Sequence, residues 1–466
     1  IKRYYQLKKE FIEPQKIFDL KIAFWLTKGI IKPTIDKIIN FYTNKFSSQN
    51  DVKLFLSLMP KIYEDLNRLI NDYQLRNVLA LDQEVNLILA LIELEGLKID
   101  EEKLKVLKEN LTQELNQLIE ELYHLAGTKF NPNSSNELRD IIFNKLKIPL
   151  KKFKKTPKGA ISVKETELVK VKDLHPFIEK YLIYRQNSKL LLGFINNLSK
   201  YSRQGVIFTN FEITGTATGR IISFSPNLQN LPPKAKMIFI PHKNNIFVSY
   251  DYSHIELRIL AHFSQDESLI SIFNQNLDIH TITAKLLFKK EDEQTRRLAK
   301  IINYGIVYGI SPQALSEKTG LSLSTSKQLI QDYFKSFPGV KKFINELVDK
   351  FQAMGYAETL LGRKRFAFEI NSSRALRIAI NTPIQGTAAD ILKLSMIDIF
   401  KYLNKQNLLE EIKLKLAIHD ELIFEMPENH LKNTAIKIKQ IMENVIKLNI
   451  PLKVKIKKGY NLNELK

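Results

Sequence analysis

Asn245-Ile-Phe-Val-Ser-Tyr-Asp251-Tyr-Ser-His-Ile-Glu256-Leu-Arg258 changes its hydrophobic period within a few residues. Ile246 to Tyr250 is a β-prone run predicted to bury as a strand, and Ile255, Ile259 and Leu260 then share one face of a helix. Asp251 falls at the strand's end, where a carboxylate is rigidly held and can face a cleft. An acid at that position also commonly assists the N-terminus of the next helix, so the stretch alone leaves both roles open.

A second stretch, Lys413-Leu-Lys-Leu-Ala-Ile-His419-Asp420-Glu421-Leu-Ile-Phe-Glu425, alternates on both sides of His419-Asp420 and predicts a β-hairpin with that pair at its tight end. Turns favour Asp. Yet Asp251 and Asp420 would then be two carboxylates on strand ends of what could be one sheet, and such a pair can hold two Mg²⁺ ions about 3.5 to 4 Å apart.

The third stretch, Thr295-Arg296-Arg297-Leu-Ala-Lys300-Ile-Ile-Asn-Tyr304-Gly-Ile-Val-Tyr308-Gly309, predicts an amphipathic helix. At about 100° per residue, Arg296, Lys300, Tyr304 and Tyr308 fall successively about 40° apart and make one stripe. Leu298, Ile301, Ile302 and Ile306 lie mostly off it as anchors. Cations matched to a triphosphate, followed by aromatics for a base and sugar, account for the whole stripe; a solvated basic face leaves the two tyrosines unexplained.

The remaining composition fits this outline. At 466 residues and about 100 to 200 per domain, two to four domains are expected. With 44% hydrophobic and 26% charged residues, disorder as the main state is excluded. The 71 Lys+Arg against 50 Asp+Glu leave +21, which favours nucleic acid as partner, with anionic membrane second. The absence of cysteine excludes disulfides, thiolate zinc sites and Cys nucleophiles, and leaves the redox compartment undecided. The longest apolar runs, such as Leu87 to Leu91, fall far short of the roughly 18 to 20 residues needed to span a bilayer, and no leader precedes a signal-type run, so a soluble intracellular protein is expected. A start at Ile1 rather than Met predicts a processed or excised piece of a longer protein.

Along the chain, the first ninety or so residues predict helical pieces. From Leu79 to Leu125 apolar residues at three and four (Leu104, Leu107, Leu111, Leu115, Leu118, Leu122) predict two long helices, antiparallel about Glu95-Gly96. Pro149 to Lys158 is a Lys-dense stretch that reads equally as a solvated loop or a phosphate-tracking tip. After Val206 short strands and turns mark a domain change; helices dominate from Ile255 to Phe400. A strand pair, a helix from about Asn429 to Leu448 and a last strand at Leu452 to Ile456 close the chain.

Asp251-Tyr-Ser-His-Ile-Glu256, Arg296-x-x-x-Lys300-x-x-x-Tyr304-Gly-x-x-Tyr308-Gly and His419-Asp420-Glu421, in this order, resemble the motifs of A-family DNA polymerases of the bacterial DNA polymerase I type. Thr216-Ala-Thr-Gly-Arg220, Pro226-Asn-Leu-Gln-Asn-Leu-Pro232 and Asn381-Thr-Pro-Ile-Gln385-Gly-Thr-Ala-Ala-Asp390 strengthen the resemblance, which runs from about Leu79 to the end. It implies a multidomain α+β, right-hand polymerase fold with an antiparallel-sheet palm, helical fingers and a helical thumb. The expected division is an exonuclease-like remnant at 1–75, thumb with connecting helices at 76–204, palm at 205–264 and 379–466, and fingers at 265–378.

The same resemblance implies a DNA-directed DNA polymerase that adds dNTPs to a primer 3′-hydroxyl and releases pyrophosphate. Asp251, Asp420 and the backbone carbonyl of Tyr252 would hold two Mg²⁺ ions, with Mn²⁺ able to substitute, and Glu421 would be a supporting acid. Arg296, Lys300 and His280 would contact the triphosphate, Lys300 also protonating the leaving pyrophosphate. Tyr308 is expected beside the templating base, and Glu256 beneath the sugar, where it excludes a 2′-hydroxyl. Arg220, Gln229, Asn230, Arg377, Asn381, Gln385 and His419 match positions at the minor groove or sugar-phosphate near the primer terminus, where contacts check pair geometry without reading sequence. Lys151, Lys152, Lys154 and Lys155 fall at the thumb tip, where phosphate contact is expected.

Departures from the family pattern carry their own expectations. Tyr304 stands where many bacterial members have Phe, and its phenol can supply the hydroxyl a dideoxynucleotide lacks. His254 replaces a common Gln, and Pro232 to Ile240 and Phe288 to Thr295 look shortened. Phe18-Asp19-Leu20 matches an exonuclease metal-binding acid, but the upstream Asp-x-Glu pair is missing and the later acid is Gln49, so no 3′ to 5′ exonuclease is expected. A flap-nuclease domain is absent as well. Primer-template DNA and dNTPs are the expected partners, with no membrane and a monomeric state. The Lys, Ile and Asn usage suits an AT-rich bacterium, phage or organelle. Two alternatives remain: a catalytically inactive nucleic-acid-binding remnant, and an enzyme of the same chemistry with a different substrate, a reverse transcriptase copying an RNA template or a single-subunit RNA polymerase using ribonucleotides.

Overall fold

The computed structural model describes residues 17–43, 52–149, 153–156, 159–367 and 372–465. Helices α1 (Leu20–Lys28), α2 (Ile35–Thr43) and α3 (Val52–Asp72) form an N-terminal group, followed by α4 (Arg76–Glu95), the short strand β1 (Leu97–Lys98), α5 (Glu101–Ala126) and α6 (Pro176–Ser188). Strands β2 (Ser202–Arg203) and β3 (Val206–Ile207) pair with β1 in the order β1-β3-β2, and β4 (Asn210–Glu212) pairs with β5 (Ile222–Phe224). Next come β6 (Asn245–Tyr252), α7 (Ile255–Ser264), α8 (Ile279–Phe288), α9 (Glu293–Val307), α10 (Pro312–Thr319), α11 (Leu323–Ser336) and α12 (Pro338–Met354). The hairpin β7 (Tyr356–Glu358) and β8 (Lys364–Phe366) leads to α13 (Ser373–Asn381), α14 (Thr387–Lys405), β9 (Lys413–Ile418), β10 (Glu421–Pro427), α15 (Thr434–Asn444) and β11 (Val454–Gly459).

The central sheet has the order β11-β6-β10-β9, every neighbour antiparallel. Its strands are buried through Phe247, Val248, Tyr250, Leu422 and Phe424, with Tyr250 and Phe424 edge to face at 5.7 Å. Tyr252 turns the other way from Asp251, its hydroxyl meeting Ser395 of α14 and the Met442 carbonyl of α15. Period-2 alternation on a strand does this: one side packs on helices while the other faces the cleft.

Helices α4 and α5 exist as expected, but they do not form an antiparallel pair. β1 intervenes, and Gly96 at its start leaves no room for a side chain: a Cβ there would lie 2.6 Å from Val206. α4 is buried on several faces, from Val78 to Ile92, and lies against α14 and the N-terminal helices. α5 carries one buried stripe, Leu107 to Leu122, which packs on α6. Residues 76–95 therefore side with the sheet, although the sequence placed them with the thumb block.

Residues 17–43 and 52–72 hold helices and no strand. Asp19 caps α1, accepting from the Lys21 and Ile22 N–H groups, and its own N–H donates to Gln83 of α4 at 2.7 Å. Gln49 lies outside the described residues. Among the described residues no helix is long and apolar enough to cross a membrane.

Candidate active site

The two strand-end aspartates meet on the cleft side of the sheet. Asp251 near the end of β6 pairs in register with Glu421 of β10, and the Tyr252 N–H donates to the Asp420 carbonyl at 3.2 Å. Asp420 sits in the two-residue turn between β9 and β10, after His419, whose φ of 52° lets the chain reverse. Glu421 is held by a hydrogen bond from the Ser249 hydroxyl. Burial, with Glu421 and Asp420 adding repulsion, pushes Asp251 up to about 6. Burial likewise raises Asp420, against the pull of Arg220.

Carboxylates crowded so that they resist ionisation fit a divalent cation, which relieves the repulsion. Among the described residues no three His, Cys, Asp or Glu groups form a ready-made metal cage. That is compatible with Mg²⁺, which takes one or two carboxylates and fills its octahedron with water and substrate phosphate.

Arg220 and Glu256 wall one side. The guanidinium of Arg220 donates to Glu256 at 2.7 Å and stands 3.8 Å from Asp420. Glu256 is 3% exposed, and its second oxygen accepts from the Tyr308 hydroxyl at 2.7 Å. Burial raises its carboxyl, opposed by Arg220 and Tyr308. Gln385 also bonds to Tyr308. Tyr308 is the residue that ends α9 rather than part of the helix, so the stripe closes on a cap.

The rest of the stripe lies as the sequence predicts. Ile302 and Ile306 are buried while Arg296 and Lys300 are exposed. Arg296 is already paired: its Nε and Nη2 lie 2.8 and 2.6 Å from Asp278, a residue the sequence reading missed. Asp278 also caps α8 by accepting from the His280 N–H. Tyr304 turns its hydroxyl toward His254 Nδ1 at 3.5 Å.

Two expected contacts are changed. His280 is 1% exposed, its Nδ1 facing Asn303 at 3.1 Å and its ring packed against His254 and Tyr304. Burial, then the neighbouring His254, brings it down to about 4, so at neutral pH it is uncharged and covered. Gln229 spends its amide inside the protein, accepting from the Ser223 N–H and donating to the Ile221 and Ala417 carbonyls. It ties the loop to β9 and has no polar atom left over for DNA in this conformation.

Asn230 is exposed and lines a cleft of about 880 Å³ with Arg185, Asn227 and Lys234. His419 and Arg377 are exposed, and the buried Oδ1 of Asn381 has no partner. Lys154 pairs with Glu317 of α10 at 2.9 Å, and Lys155 bridges to Ile161. Lys151 and Lys152 lie outside the described residues. The sequence reading also missed Lys455 and Lys457 of β11. The strand was legible, but its register beside Asp251 was not.

A family model described as DNA polymerase family A matches residues 101–464. The chain is 39% identical over 409 residues to the DNA polymerase I of Bacillus caldotenax, covering 84% of this chain and 46% of that protein. It is 35% identical over 433 residues to the thermostable DNA polymerase I of Thermus filiformis, covering 89% of this chain and 50% of that protein. This chain thus spans about half the length of these relatives. Among solved structures, the POL domain of Pol1 from M. smegmatis, in complex with DNA primer-template and dNTP, superposes with a TM-score of 0.88 at 28% identity. That match covers 96% of this chain and 82% of the other.

Proposed function

Because this chain belongs to DNA polymerase family A, we propose that it is a template-directed DNA polymerase, extending a primer 3′-hydroxyl with dNTPs and releasing pyrophosphate. The observation that carries the reading is the Asp420 turn set beside the end of β6 that carries Asp251, with α9, which bears the exposed Arg296 and Lys300, in contact with α7 just after it. Asp251, Asp420 and the Tyr252 carbonyl would hold two Mg²⁺ ions, or Mn²⁺, which when bound neutralise phosphate charge and acidify the 3′-hydroxyl. Everything else falls to the chain's own side chains.

Arg296 exchanges Asp278 for the triphosphate, and Lys300 gives a proton to a pyrophosphate oxygen as it leaves. Glu256, fixed by Arg220 and Tyr308, presents a wall to the sugar's 2′ position and so selects dNTPs. Arg220, Asn230, Arg377, Asn381, Gln385 and His419 line the path of the primer terminus, and Lys154 and Lys155 meet phosphates further along. The central sheet with α14 and α15 is the palm, α8 to α12 the fingers, and α5 with α6 the thumb. Residues 1–75 are the tail of an exonuclease-like domain, and no proofreading is expected from it, since Asp19, which caps α1, cannot alone hold two metal ions. The working protein is an intracellular monomer.

Primer extension with Mg²⁺ tests the proposal. Wild type should extend a labelled primer, and Asp251→Asn or Asp420→Asn should abolish extension while leaving primer-template affinity in place. Binding without extension by wild type would instead identify a catalytically inactive remnant.

A further inference from the structure

We infer that Lys455 of β11 is a palm-side contact for the polyphosphate, holding the leaving pyrophosphate from the side opposite Lys300 and Arg296; this rests on the polymerase reading above. In the antiparallel register Lys455 lies directly across from Asp251, and Lys457 across from Ser249. Directly opposed side chains share a face, with Cβ atoms about 4.5 to 5.5 Å apart. Both side chains therefore start from the face that carries Asp251 and Glu421, their Cα atoms about 6.8 Å apart along the strand.

Lys455 is exposed, and among the described residues it has no ion-pair partner. It completes a cross-strand row with Asp251 and Glu421, on the side of Asp251 away from Glu421, and His254 follows Asp251 by three residues at the end of β6. His254 in turn meets His280 edge to face and faces Tyr304, on the helix from which Lys300 projects. A cation that flanks Asp251 on the side away from Glu421 is within a lysine's reach of the outer phosphates of a dNTP bound at that aspartate.

Lysines on edge strands also deter unwanted strand pairing, but that role is indifferent to face. Here Val454 and Ile456 stand opposite Tyr252 and Tyr250, whereas Lys455 and Lys457 take the side of Asp251 and Ser249. An unpaired ammonium beside carboxylates would weaken divalent-ion binding if it did nothing else. A polyphosphate brings the negative charge that makes it favourable.

Inorganic pyrophosphate is the probe. With Mg²⁺ present, calorimetry on the DNA-free chain should show Lys455→Ala weakening pyrophosphate binding roughly five- to tenfold, Lys455→Glu more, and Lys455→Arg little. Pyrophosphate inhibition of primer extension should weaken in the same order, with primer-template affinity held within twofold. Unchanged pyrophosphate binding and inhibition in Lys455→Glu, in a chain whose wild type extends primers, overturns this inference alone. So does a change confined to the Mg²⁺ midpoint, which would make Lys455 only a counter-charge to Asp251. A wild type that does not extend primers overturns the polymerase reading, while the calorimetric series still decides whether Lys455 binds pyrophosphate.

Discussion

Asp251 is held in a state that opposes its own charge. With its carboxyl raised to about 6 by burial and by Glu421 and Asp420, against 3.8 ordinarily, the folded chain binds an extra proton between those values. Metal-free stability must then fall as pH rises from about 4 through 6, because the unfolded carboxyl ionises more easily. Asp251→Asn removes that penalty. Its melting temperature in chelator should exceed that of wild type at pH 8, and the excess should shrink as pH falls and vanish only below about 3.8; a variant no more stable than wild type at pH 8 would remove the crowding argument. Tyr304 offers a second residue-scale test. Its hydroxyl faces His254 and is free to be drawn to a nucleotide lacking its own 3′-hydroxyl. Tyr304→Phe should reduce dideoxynucleotide incorporation relative to the matching dNTP by at least tenfold, and unchanged termination ladders would refute it. Of the residues involved, Asp251, Asp420, Glu256 and Tyr304 were legible because a motif names them. Gln229 and His280 were not, because which of their atoms are already satisfied depends on partners elsewhere in the fold.

At the scale of elements, α8 and α9 are joined by one carboxylate with two duties. Asp278 caps α8 and pairs with Arg296 on α9. Serine also caps well but carries no charge. Asp278→Ser should therefore leave stability nearly unchanged while freeing Arg296, lowering the KM for dNTP a few-fold in single-nucleotide kinetics. Asp278→Ala should show the same kinetic gain but lose about 1 kcal/mol of stability with the cap. If neither variant alters KM, Arg296 does not leave Asp278 for the nucleotide. The periodicity of α9 was readable in advance because one stripe of a 3.6-residue helix is a local property. The relation of α4 to α5 was not: both carry helical spacing, and only burial of α4 on several faces shows it lodged against β9 and α14 while α5 packs on α6.

Across the whole molecule, one buried cluster ties the parts together. Arg363, 2% exposed, donates to Asp82 of α4 at 2.7 and 2.9 Å and to Asp390 of α14 at 2.7 and 2.9 Å, and Lys393 reaches Asp82 at 2.6 Å. The guanidinium also lies 5.3 Å from the ring of Trp25 on α1. Burial pushes Asp82 up, yet Arg363 and Lys393 hold it below the usual carboxylate range. Arg363→Met takes the cation from buried Asp390 and leaves Asp82 with Lys393 alone, and should cost about 3 to 5 kcal/mol, read as a drop in the urea midpoint. Lys180→Ala, which breaks the exposed pair with Glu121, should leave the urea midpoint nearly unchanged. Equal effects would mean that the cluster is solvated. The same guanidinium packs beneath Gly219, where a Cβ would come within 2.9 Å, so the cluster also supports the loop that carries Arg220. By itself the sequence determined the strand and helix that bear Asp251, the hairpin that bears Asp420, the order of the α9 stripe and the family, since each is written in spacing over a dozen residues or in a motif. Only the tertiary structure decided that Lys455 stands opposite Asp251, that Arg363 joins Asp82 to Asp390 and that His280 is covered. Register and burial are set by which distant segments share a surface, and no local period records that choice.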